Sequence, residues 1–328
     1  MTPEMLLSSL QPGFGAGMAA FKVDTLTVKN VVFTNNSAMA GGAMYNLPNV
    51  ASMDDIDGNR SNVRVVGVRF VDNYAEKRGG AVIDNLGASP TFVDTVFQDN
   101  ECADKGGAVY DDFRSSPQFY NVLFSGNRAF RGAAIGNDGG SNPIVVNGTF
   151  VHNVAEDVGA GLYQGTGGSP NEPTVVSSIV WGNTADQGPG NVYDWHHSTV
   201  HFERSAVEGG GGGIDVEPEF QDPHSGNYAL VAGSQLAARG IGYDPNRSGA
   251  SLVGTVKSLA GPPTDEHASH AAWKSLGAPK GVVYVTESGA GKRDGSSWAN
   301  AFASLQGAID VAAKKHAQVW IANTRASV

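Results

Sequence analysis

Apolar and polar positions follow a fixed order that returns along the chain. In Phe97 to Asp112, FQDNECADKGGAVYDD, an apolar residue leads, Asn follows three positions on, and then come Ala, a pair of small residues and an aliphatic. The same skeleton reads FTNNSAMAGGAMYN (33–46), FVDNYAEKRGGAVIDN (70–85), FSGNRAFRGAAIGN (124–137), FVHNVAEDVGAGLYQ (150–164) and, more loosely, VWGNTADQGPGNVYD (180–194). The lead residues Phe33, Phe70, Phe97, Phe124, Phe150 and Val180 are spaced 37, 27, 27, 26 and 30 residues apart. A period near 27 with β-branched runs and no helical pattern predicts an all-β solenoid, one coil per repeat.

Coils stacked at about 4.8 Å place each residue above its counterpart. The leading phenylalanines then form an internal aromatic column. Asn36, Asn73, Asn100, Asn127, Asn153 and Asn183 form a second, structural ladder at a turn, where Asn tolerates left-handed backbone and its amide can bond those above and below. The pairs Gly41-Gly42, Gly79-Gly80 and Gly106-Gly107 mark a bend at which backbones come close. A third column, Asn46, Asp84, Asp111, Asn137, Gln164 and Asp194, closes each aliphatic strand. Asp84 and Asp111 fall in adjacent coils with Asp112 beside them. Two carboxylates about 5 Å apart raise one pKa or recruit a cation, and paired carboxylates are what a glycosidase uses. The competing reading is that Asp and Asn suit the turn leaving each strand.

The F-x-x-N and G-G-A-[ILV] signatures resemble the repeats of polymorphic outer-membrane proteins and related right-handed parallel β-helix proteins of the pectate-lyase-like superfamily. The resemblance covers about residues 13–240. It implies a right-handed parallel β-helix and a secreted, cell-surface or outer-membrane-associated location. It does not imply an enzyme, because the same solenoid carries both binding proteins and polysaccharide-cleaving enzymes.

Composition narrows the partners. The 328 residues include 44 glycines, 41% are hydrophobic and only 16% are charged, which suits a turn-rich β chain rather than a disordered one. A net charge of −10 argues against nucleic acid and anionic membrane, and it disfavours polyuronates unless a cation bridges them. Cys102 stands in the slot filled elsewhere by Ala38, Ala75, Ala129, Ala155 and Ala185, as a small buried thiol would. No apolar run is long enough for a transmembrane helix, and the first residues carry no signal-peptide pattern.

The insertion 47–63 contains Asp54, Asp55 and Asp57 before Gly58, a candidate calcium loop. Met53 breaks the D-x-D-x-D-G spacing, and no Glu follows at the twelfth position. Calcium is thus the one candidate cofactor, and none is required for the fold. Trp195, His196, His197 and His201 offer no further metal-ligand spacing.

Three regions are expected: repeats over 1–240, a Pro-, Gly- and Ser-rich linker over 241–281, and a strand–loop–helix–strand segment over 282–328. Trp298, Phe302, Leu305, Ile309 and Ala312 mark one face of its helix. This last segment resembles the amino-terminal cap of the same β-helix proteins, although it stands at the other end of the chain. A tandem second module is the first expectation. The alternatives are a return to the first coil, with Phe302, Leu305 and Ile309 over Met5, Leu6 and Leu7, and head-to-tail self-association through 282–328. The first functional expectation is adhesion, binding of a polysaccharide or cell-surface ligand, or structural spacing. The second is a polysaccharide lyase or glycoside hydrolase using Asp84, Asp111 and Asp112, with Arg114 as a positive neighbour.

Overall fold

The computed structural model describes residues 15–21, 25–48, 62–165 and 169–249, the backbone of the strands Val282–Thr286 and Gln318–Ala322, and positions 292, 296 and 300. The acidic residues Asp54, Asp55 and Asp57, and the helix face with Phe302, Leu305 and Ile309, lie outside the described residues.

Each repeat folds into three short strands that pair with the same strands of the coils on either side, always in parallel. One sheet joins Met18–Phe21, Met44–Leu47, Val82–Asp84, Val109–Asp111, Ile135–Asn137, Leu162–Gln164 and Val192–Asp194. A second runs from Ser37–Ala40 through Tyr74–Arg78, Glu101–Lys105, Arg128–Arg131 and Val154–Val158 to Thr184–Ala185. The largest contains the long strands Thr91–Gln98, Gln118–Ser125 and Ile144–Val151. This is the parallel β-solenoid that the repeat period predicts.

The register builds the core. Phe33, Phe70, Phe97, Phe124 and Phe150 pair in sequence, and all five are fully buried. Their rings stack nearly parallel, Phe97 and Phe124 at 4.8 Å and 4°. Phe92 and Phe119 form a second stack at 4.9 Å, edge-on to the first. Burying one such ring stabilises by roughly 1.5–3 kcal/mol, and ring geometry adds about 0.5–1.5 kcal/mol. Cys102 lies buried among Ala75, Ala129 and Ala155, and burial pushes its thiol up to about 12.

At the turn after each phenylalanine the asparagine amides form a continuous chain. Asn73 Nδ2 donates to Asn100 Oδ1 at 2.9 Å, Asn100 to Asn127 at 2.9 Å and Asn127 to Asn153 at 2.9 Å. Asn36–Asn73 and Asn153–Asn183 complete the run. Each of these amides from Asn73 onward also donates to the carbonyl of a phenylalanine one coil back. The left-handed residue at this turn is not the ladder asparagine but the one before it: Asn35, Asp72, Asp99, Gly126, His152 and Gly182. The ladder residue keeps ordinary geometry, which leaves its side chain free to point along the stack. At the other bend, Gly79 has φ +64°, and a Cβ on Gly80 would collide with the carbonyls of Gly107 and Glu101.

After the stack the chain turns back. The antiparallel strands Phe220–Asp222 and Asn227–Leu230 and the short helix Gln235–Ala238 pack on the outer face of the largest sheet. Residues 240–249 then run across successive coils toward the amino-terminal end. Asn147 Nδ2 donates to the carbonyls of Gly240 and Gly242, Asn121 Nδ2 donates to those of Asp244 and Arg247, and Gly249 N donates to Asp94 Oδ1. The strand Gln318–Ala322 pairs in parallel with Val31–Thr34 of the first coil, and Val282–Thr286 pairs with it in turn. The segment therefore meets the first coil of its own chain, the return arrangement rather than the tandem one put first. Two strands of the cap-like segment continue the largest sheet beyond its first coil.

Candidate functional site

The strand triplets that close each coil decide which side chains can act. In Val82–Asp84 and Val109–Asp111, the valines belong to the interior core. Alternation returns the aspartates to that same side and sends Ile83 and Tyr110 outward. Asn46, Asp84, Asp111, Asn137 and Gln164 consequently stand in register inside the solenoid, all of them fully buried. Asp84 accepts from Asn46 Nδ2 at 2.6 Å. Burial pushes the Asp84 carboxyl up to about 7, against its hydrogen bonds with Asn46 and Asp111. Burial also drives Asp111 well above the usual carboxylate range, helped by the charge of Asp84. The structure thus brings Asp84 and Asp111 together but encloses them, away from any polymer on the surface.

Asp112 is separated from them by the wall. Its Oδ2 takes an ion pair from Arg78 Nη1 at 2.8 Å, and its Oδ1 accepts from Phe113 N at 3.0 Å. Burial pushes it up to about 6, with Arg78 pulling the other way. Arg114 is exposed and holds left-handed backbone, its amide bonded to Gly139 O.

The outward positions of the same triplets make a row. Arg78 lies 4.9 Å over the Tyr110 ring, and Tyr110 Oη donates to Asp138 Oδ2 at 2.6 Å. Burial raises the Tyr110 phenol, reinforced by Asp112 and Asp138. Lys105 Nζ pairs with Asp138 at 2.7 Å, and Arg131 Nε pairs with Asp157 at 2.6 Å. Both cations also lie over the Tyr163 ring, at 5.6 and 5.9 Å. Tyr163 stacks on Tyr193 at 5.9 Å and 4°, and Tyr193 meets Trp195 at 6.1 Å. Trp195, at 39% exposed, touches His196 and opens the row to solvent.

This aromatic row is the feature that the sequence reading passes over. Its only sequence signal is a Tyr in the middle of the closing triplet, at Tyr45, Tyr110, Tyr163 and Tyr193, interrupted by Ile83 and Gly136. His196 and His197 sit in a left-handed turn, not on a strand. Among the described residues no group of three or more His, Cys, Asp or Glu could hold a metal ion. Compared with known proteins, the chain matches no family model, no curated protein and no solved structure. The class that fold and site define is therefore the parallel β-solenoid itself.

Proposed function

We propose that this chain is a secreted or surface-displayed β-solenoid that binds carbohydrate at Tyr193 and Trp195, the exposed end of the row that the buried Tyr163 backs, without transforming it. One observation carries the reading: rings from successive coils share one outer face and end in a half-exposed tryptophan. Sugar rings present apolar C–H faces that pack on aromatic faces, while their hydroxyls need donors and acceptors beside them. Arg131 and Asp157 supply such groups as an ion pair, and the more buried Lys105 and Asp138 are likewise paired, so the row carries little net charge. With −10 on the whole chain, a neutral glycan fits better than a polyanion.

Affinity electrophoresis through gels containing neutral and acidic polysaccharides, with and without calcium, tests the reading. Retardation by at least one neutral polysaccharide is expected, weakened about tenfold or more, or about 1.4 kcal/mol, in Tyr193→Ala and Trp195→Ala. No retardation by any polysaccharide, or retardation unchanged when both rings are removed, overturns it.

A further inference from the structure

The inward column contains more acceptors than donors. Asn46 Nδ2 donates to Asp84 Oδ1, and Asn137 Nδ2 donates to Gln164 Oε1 at 3.0 Å. Both bonds run in the same direction along the stack, as in the asparagine ladder. Between them lie Asp84 Oδ2, both oxygens of Asp111 and Asn137 Oδ1, all buried and none with a donor. Asn137 uses its amide nitrogen on Gln164, so its oxygen is the atom left for the neighbouring rung, which is Asp111. Asp84 and Asp111 are themselves in hydrogen-bond contact. The four enclosed acceptors lie in a line between Asn46, whose amide donates to Asp84 Oδ1, and Asn137, whose amide donates away to Gln164, while the unpaired Gln164 Nε2 stands beyond them. With the amides so oriented, the line lacks two hydrogens.

We propose that Asp84 and Asp111 form a buried two-proton site, in which the neutral acid of Asp84 donates to Asp111 and that of Asp111 donates to Asn137 Oδ1. The column then reads as one unbroken ladder, Asn46 to Asp84 to Asp111 to Asn137 to Gln164, with two carboxylic acids standing where amides would serve. An unpaired buried acceptor costs roughly 1–3 kcal/mol, and an unpaired buried charge costs more, so protons are taken up as the coil closes. The charged groups nearby all lie outside the wall. Asp112 is held by Arg78, and Lys105 is held by Asp138. The rungs above and below, Asn46, Asn137 and Gln164, are uncharged.

The elevation of both acids, caused first by burial, agrees in direction. Groups raised above their unfolded range contribute stability that is complete at low pH and lost as pH rises, here through about 7 for Asp84. The solenoid is then a sensor that loosens on the alkaline side of neutrality.

Melting of the full chain from about pH 5 to about pH 8.5 tests this in wild type and in the Asp84→Asn, Asp111→Asn double variant. The wild type is expected to lose on the order of 5–10 °C more than the double variant, whose amides complete the ladder without titrating. Asp112 is intact in both, so its own titration cancels. Equal slopes overturn the proposal. So does recovery of the wild type at high pH by calcium or potassium that the double variant does not share, because a cation and not protons would then fill the column. Carboxyl carbon NMR of Asp112→Asn gives a reading that does not need the double variant to fold. Two aspartate signals still protonated near neutrality support the site, and full ionisation there overturns it.

Discussion

Asn127 shows what one side chain contributes inside a stacked coil. Its amide donates to Asn153 Oδ1 and Phe97 O, and its oxygen accepts from the backbone and side chain of Asn100. Asn127→Leu takes the acceptor from Asn100 N and one bond each from Asn100 Nδ2, Phe97 O and Asn153 Oδ1, at roughly 1–3 kcal/mol for each group left unpaired. A melting temperature within error of wild type would contradict the ladder. Phe97→Ala is expected to cost about 3–5 kcal/mol in chemical denaturation, because rings above and below prevent the hole from closing. Both columns are legible in the sequence, since a structural role repeated in every coil leaves a period. The phase of the closing triplet is not. In Val109-Tyr110-Asp111 the apolar and charged ends share one parity, so ordinary alternation cannot say that Asp111 faces inward and Tyr110 outward.

At the scale of elements, the segment 241–249 reads as linker because it carries no repeat signature, although its Ile241 and Tyr243 pack against the largest sheet. Its main chain bonds to the side chains of Asp94, Asn121 and Asn147, which hold left-handed backbone at one bend of successive coils. Only their spacing of 27 and 26 residues records the contact, and it is visible only once the coils are aligned. Asn121→Ala removes the donor to Asp244 O and Arg247 O and the acceptor for Asp244 N. Limited proteolysis is expected to cut within 240–249 faster in this variant while the repeats stay intact. Unchanged cleavage would mean that these bonds do not hold the segment.

For the whole molecule, two questions separate: what closes the stack, and what the outer face does. Because Gln318–Ala322 pairs with Val31–Thr34, deleting 282–328 bares a parallel strand edge. The truncated chain is expected to melt lower and to form larger species in light scattering, and equal behaviour of the two chains would contradict that closure. The functional account rests on the division between an enclosed acid column and an aromatic row that opens to solvent at Tyr193 and Trp195. The most direct measurement pairs binding with product analysis for wild type, Trp195→Ala and Asp111→Asn on the polysaccharide that retards the wild type most. The expected result is binding without new reducing ends or unsaturated products, lost in Trp195→Ala and kept in folded Asp111→Asn. Product formation by the wild type that disappears in folded Asp111→Asn would contradict it, and would place the chemistry at the carboxyl pair.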